Sequence, residues 1–204
     1  MTRRQRNKTR VRDSLRQVAL HLFRTRGYEV TSVQQIADTA DTAKATFFNY
    51  YPTKEHLLAE FHELSVRDIL AAHAGAGSGN TRQSLLDLAR VAMRWPVREP
   101  QLTAAIVRTL WGSPVLAETD REIGEAFTDR VKNLLQEGIR RGEIRADIDV
   151  KVAIALIMSV LNGCVLDWVM EGQRFNLTAT ANKRMSLLLA AFETTKARRR
   201  GSDS

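Results

Sequence analysis

Residues 31–58 read TSVQQIADTADTAKATFFNYYPTKEHLL, and the fold follows from how that stretch is parsed. Ser32 with Gln35 three residues on is a capping box, in which each side chain answers the other residue's backbone N–H. Val33, Ile36, Ala37 and Ala40 then fall on one helical face. Asp41-Thr42-Ala43 is a turn, because Asp tolerates turn backbone angles, and Thr42 is placed to cap the next helix. Lys44 to Tyr51 is that second helix, with Phe47 and Tyr51 inward. Ala45, Thr46 and Asn49 point the opposite way, with Lys44, Phe48 and Tyr50 on the flanks. A small residue, two polar ones and a cation on an exposed face suit a helix lying in a DNA major groove.

The same residues carry a resemblance. Thr31-Ser32-Val33, Ile36-Ala37, Ala40, Lys44, Thr46-Phe47-Phe48, Tyr50-Tyr51-Pro52-Thr53-Lys54-Glu55 and Leu57-Leu58 resemble the DNA-binding domain of the TetR family of bacterial repressors. Three positions depart from that pattern. Asp41 stands where the family often has Gly, Thr42 where it often has an apolar residue, and Phe48 where it often has Tyr. Phe48 cannot donate to a phosphate as a tyrosine hydroxyl would, but it can touch a thymine methyl. The resemblance implies an all-α protein of about nine helices: a three-helix helix-turn-helix domain over residues 1–52, then a helical bundle over 53–204 for ligand binding and dimerisation. It also implies a palindromic DNA operator and a small-molecule effector pocket in the larger domain; no Gly-x-Ser-x-Gly or Cys-x-x-Cys pattern occurs, so no enzymatic activity is expected.

Composition is compatible with this. The 204 residues are 44% hydrophobic and 26% charged, with a net charge of +8 that favours polyanionic partners. Residues 1–12 carry Arg3, Arg4, Arg6, Lys8, Arg10 and Arg12 without an acid, an arm placed to touch phosphates or the minor groove. Residues 1–6 are expected to lack regular structure. No apolar segment follows the arginines, so no secretory signal is read there. The single cysteine, Cys164, rules out an internal disulfide and fits a reducing cytoplasm.

Along the rest of the chain, Thr9 to Arg26 reads as a supporting helix with Val11, Leu15, Val18, Ala19, Leu22 and Phe23 in one stripe, and Gly27 as its C-terminal cap. A long helix runs from Pro52-Thr53 to about His73, with Lys54 in its first turn as a phosphate ligand. Gly75 to Asn80 is a linker. Further helices are expected over 81–96, 101–112, 114–141, 150–171 and 177–199. Val152 to Leu166 is nearly uncharged but shorter than a membrane span. The apolar excess of the last two helices is read as a two-fold interface between two chains. Arg198 to Arg200 are read as a frayed tail.

Lys44, Thr46 and Asn49 are therefore the expected base-edge contacts, Ala45 and Phe48 the apolar ones, and Ser32, Tyr50 and Lys54 the backbone contacts, with Gln34 able to reach either. Met93, Trp95, Trp111, Phe127, Met158, Asn162 and Trp168 are the candidate ligand-pocket residues, for aromatic and sulfur side chains suit an unidentified apolar ligand. No cofactor or metal is expected. Two rivals stand beside this reading: an all-helical metal-binding protein or enzyme using His62 and His73, and a module touching nucleic acid without sequence preference.

Overall fold

A computed structural model describes residues 2–74 and 79–194, apart from the side chains of Arg3, Arg4, His73 and Ala74. Among these residues there are ten helices and no strand. Residues 75–78 of the expected linker and the Arg198 to Arg200 tail lie outside the described residues.

α1 (Arg3–Arg26) begins six residues before the predicted start. Thr2 caps it, accepting from Gln5 N while the Gln5 side chain accepts from Thr2 N. Residues 3–6 are thus helical, where the sequence suggests no regular structure. Leu15, Ala19, Leu22 and Phe23 form the buried stripe. Gly27 ends the helix at φ 94°, a conformation that a Cβ would strain, and returns its N–H to Phe23 O. α2 (Val33–Thr39) starts in the capping box of Ser32 and Gln35 and buries Ile36 and Ala37. Asp41 takes φ 51°, as the turn demands. α3 (Lys44–Phe48) is N-capped by Ala43 without a side-chain bond, so Thr42 is not the cap. α3 also stops short of Tyr51, because the chain must turn before Pro52.

α4 (Lys54–Ala74) follows, then α5 (Thr81–Ala92), capped by Asn80. Asn80 is therefore a helix cap. The helix expected to reach Pro96 breaks at Met93, and a short α6 (Arg94–Arg98) is the additional helix. α7 (Pro100–Leu110) has proline in its first turn, where the missing N–H costs nothing. α8 (Pro114–Arg140) is followed by Gly142 at φ 68°. Asp149 caps α9 (Val150–Met170) and Asn176 caps α10 (Leu177–Phe192).

Packing divides the chain into two compact units, Met1–Glu63 with Glu99–Asp120, and Leu64–Arg98 with Arg121–Ser204. In the first, α1 packs on α2 and α7, and α2 on α3. Phe23 meets Tyr28 and Phe61 edge to face. In the second, α10 packs on α9 and α5. Gly138 lies at the start of α5, where an added Cβ would come within 2.6 Å of Thr81 Oγ1 and of Ile144 Cγ1. Glu143 closes that junction by accepting from Thr81 N at 2.6 Å.

α9, 21 residues against the 150–171 expected, is long and apolar enough to cross a membrane by length and composition, although its uncharged stretch, Val152 to Leu166, is shorter. Its faces differ, however. Ala153, Ile157, Leu161, Cys164 and Trp168 are buried, whereas Val152, Leu156, Leu166 and Met170 are exposed on the opposite side.

Candidate nucleic-acid interface

The helical pair α2–α3 is held from beneath by aromatic rings. Phe47 is fully buried, with Phe48 at 5.6 Å edge to face and Tyr51 at 5.5 Å between ring centroids. Burial pushes the Tyr51 phenol up to about 12, so it stays neutral at physiological pH. Arg12 of α1 donates to the Tyr51 hydroxyl at 3.4 Å and lies 5.8 Å from its ring centroid. The same guanidinium pairs with Glu60 at 3.0 Å, and Arg16 reaches Glu60 at 3.6 Å. α1, α4 and the end of the reading segment are thereby tied to one carboxylate.

Above this underside Lys44, Ala45, Phe48 and Asn49 are exposed, and Thr46 and Tyr50 partly so. Phe48 exposes 45% of its surface although its neighbour Phe47 exposes none. Ser32 is exposed at the start of α2; its oxygen accepts from Gln35 N at 3.1 Å, leaving the hydroxyl proton free to donate outward. Gln34 is exposed; its amide donates one hydrogen to Asp38 at 2.7 Å, which leaves its second amide hydrogen for a phosphate or base and its carbonyl to accept from a base.

Lys54 differs from the expectation. Its ammonium donates to Tyr28 O at 2.8 Å and Thr31 O at 3.0 Å, and sits 4.0 Å from the Tyr28 ring centroid. Two of its three donors are directed into the protein. Long-range contacts to backbone carbonyls leave no local pattern in sequence, which is why the motif alone does not show them.

The pocket candidates separate. Met93, Phe127 and Trp168 are buried, and Trp95 and Met158 partly buried, all in the second unit. The Trp168 indole donates to Phe175 O at 3.1 Å, so its polar edge is satisfied within the protein. Trp111 belongs to the first unit and is 88% exposed. Asn162 is exposed on the solvent side of α9. Neither faces a buried cavity wall: helical periodicity identifies a face but not what lies against it.

His62 of the metal-binding alternative has Asp120 as its partner, Nε2 to Oδ1 at 2.9 Å, and the His73 side chain lies outside the described residues. Glu60 is occupied by the two arginines. Among the described residues no group of three metal-ligating side chains occurs.

Sequence reading also misses the bond from α1 to the start of α7. Arg24 Nε donates to Glu99 Oε2 at 2.7 Å and Nη2 to Oε1, a bidentate pair in which the Glu99 side chain is only 7% exposed.

The family model for bacterial regulatory proteins of the tetR family matches residues 15–61, and that for the C-terminal region of YsiA-like proteins matches 118–191. The chain is 27% identical over 176 residues to the fatty acid metabolism regulator protein of Bacillus subtilis, covering 84% of this chain and 90% of that one. Its fold is similar to that of FadR from Bacillus subtilis solved in complex with stearoyl-CoA, with TM-score 0.74 and 22% identity over 86% of this chain and 96% of the other. It is likewise similar to Thermus thermophilus FadR, a transcriptional repressor solved in complex with lauroyl-CoA, with TM-score 0.71 and 26% identity over 87% and 93%. With one family model over the helix-turn-helix and a second over the C-terminal helices, the chain belongs to the TetR family of DNA-binding transcriptional regulators.

Proposed function

We propose that the chain is a cytoplasmic, homodimeric repressor that binds an inverted-repeat operator through α3 and releases it when an acyl-CoA occupies the larger domain. The observation that carries the DNA reading is the contrast within five residues between fully buried Phe47 and the exposed Lys44, Ala45, Phe48 and Asn49. Residues 1–52 form the reading head and 53–204 the effector and dimerisation part. Lys44, Thr46 and Asn49 contact base edges and Ala45 and Phe48 thymine methyls, while Ser32, Tyr50, Lys54 and the basic start of α1 hold the phosphates and Gln34 reaches either.

The exposed stripe of α9, with Leu187 of α10 exposed to 70%, supports pairing of two chains through these helices. A two-fold pair would set the two α3 helices one DNA turn apart, roughly 34–36 Å. Met93, Trp95, Phe127 and Met158 are the proposed apolar lining for the acyl chain. Support for acyl-CoA comes from the two FadR proteins solved with stearoyl-CoA and lauroyl-CoA.

The test titrates operator-bound protein with lauroyl-CoA, stearoyl-CoA, free laurate and CoA alone. A coupling of about 1–3 kcal/mol predicts a roughly 5- to 150-fold loss of operator affinity with an acyl-CoA. Equal affinity with and without every acyl-CoA removes the effector assignment, leaving the DNA reading intact.

A further inference from the structure

We propose that Glu60 is a positioning residue that sets operator preference: one carboxylate offsets the charge of two α1 arginines and, through Arg12 and Tyr51, holds the end of the reading segment. Arg12 and Arg16 lie one turn apart on α1, and exposed Lys8, one turn before them, continues the same face toward the basic start of the helix. Glu60 comes from α4, and its side chain is only 15% exposed. It accepts from Arg12 Nη2 at 3.0 Å and stands 3.6 Å from Arg16 Nη1, while Arg16 also donates to Asp13 at 3.3 Å. Two cations therefore face two carboxylates, of which Glu60 is the enclosed one. Arg12 donates as well to the Tyr51 hydroxyl at 3.4 Å, and the Tyr51 ring lies 5.5 Å from Phe47, beneath α3. Burial, with the Glu60 carboxylate acting in the same sense, keeps that phenol protonated.

Binding to duplex of any sequence rests on cations near phosphates, and selectivity is the ratio of operator affinity to that background. A guanidinium whose charge is matched adds less to the background. It still keeps N–H groups that can reach a phosphate, for the Arg12 side chain is half exposed. An enclosed carboxylate matches the charge better than one at the surface, because salt screens the pair less. The same carboxylate holds Arg12, and Arg12 holds the tyrosine on which Phe47 rests. Removing the Glu60 charge therefore acts in two ways. It adds an uncompensated cation beside the duplex, which strengthens binding to every sequence alike. It also loosens the end of α3, which weakens binding only where bases are read.

The proposal rests on α3 being the reading helix and on the start of α1 lying beside the phosphates. It is tested with Glu60→Gln, which keeps the shape and removes the charge, by measuring affinity for selected operator and for unrelated duplex across salt concentrations. Affinity for unrelated duplex rises several-fold, and its salt dependence steepens by about one unit per chain. The ratio of operator affinity to unrelated affinity falls about ten-fold, the size of one charge-assisted bond. The double variant Glu60→Gln with Arg16→Gln returns the unrelated affinity and the salt slope to wild-type values and leaves the ratio low. Partial unfolding lowers both affinities and raises neither, so it cannot imitate this pattern. Both affinities falling in parallel with an unchanged slope would make Glu60 a stabilising residue only and overturn the proposal. Both rising in parallel would leave charge alone without positioning, and unchanged affinities would leave neither; each overturns it as well. A wild-type protein that selects no operator removes the reading helix and the proposal together, whereas a selected operator with an unchanged ratio in Glu60→Gln removes the proposal alone.

Discussion

Replacing Leu187 by aspartate is expected to separate the two chains and abolish operator binding while leaving each chain folded. Leu187 exposes 70% of its surface on α10, and on α9 Met170 exposes 74%, Val152 53%, Leu156 43% and Leu166 41%. Burying a whole leucine side chain stabilises by about 1.5–3 kcal/mol, so the exposed share of Leu187 corresponds to roughly 1–2 kcal/mol per chain. Two-fold symmetry doubles this to about 2–4 kcal/mol, and two carboxylates brought into an apolar interface add a further desolvation cost. At about 1.4 kcal/mol per factor of ten, dimer affinity should fall by at least two orders of magnitude. Within the chain an exposed substitution should change stability by less than about 0.5 kcal/mol. Sedimentation velocity over a concentration series, with circular dichroism as the folding control, reads both quantities. Leu187→Asp that sediments as a dimer at the wild-type concentration, or that binds operator as tightly, would refute the assignment of this face.

Phe47→Ala removes a fully buried ring with two aromatic neighbours and should cost roughly 3–5 kcal/mol, seen as a lower denaturant midpoint with loss of operator binding; a change below about 1 kcal/mol would mean that this ring does not hold the reading helix. Arg24→Ala leaves the buried Glu99 carboxylate without its bidentate donor, and because Arg24 is half exposed the loss should be about 1–2 kcal/mol, with a double-mutant cycle against Glu99→Gln giving coupling of similar size. The Tyr51 phenol is raised from 10 to about 12 by burial, so its contribution to stability is complete below pH 10 and lost as pH rises toward 12; wild-type protein should lose stability relative to Tyr51→Phe across that window, and parallel curves would contradict it. Cys164 is fully buried and its thiol pushed up by burial, so it should react with a thiol reagent at mildly alkaline pH only after unfolding.

The reading head is legible in the sequence because its signals are local. Ser32 with Gln35, the turn at Asp41 and the inward pair Phe47 and Tyr51 depend on spacings of a few residues, and each occurs as those spacings require. The start of α1 carries the same kind of signal, since Thr2 and Gln5 repeat the Ser32 and Gln35 pattern, but the run of arginines suggests an unstructured arm. Features that depend on distant partners are not legible. Lys54 meets carbonyls 26 and 23 residues earlier, and Arg24 finds Glu99 75 residues away. Trp111 and Asn162 show the converse, for the first follows an apolar helix as its C-cap and the second sits within one, yet both are exposed. The exposed stripe of α9 shows in the sequence only as an excess of apolar residues; the helical spacing of Val152, Leu156, Leu166 and Met170 separates it from the buried stripe.

The most direct test is selection from random duplex DNA with the purified protein, repeated at several salt concentrations. The account predicts enrichment of an inverted repeat whose half-sites lie about one helical turn apart, with preference relaxed by about 1–3 kcal/mol at one position of each half-site in Asn49→Ala. Recovery of no preferred sequence at any ionic strength, or of an unchanged motif with Asn49→Ala, would contradict it.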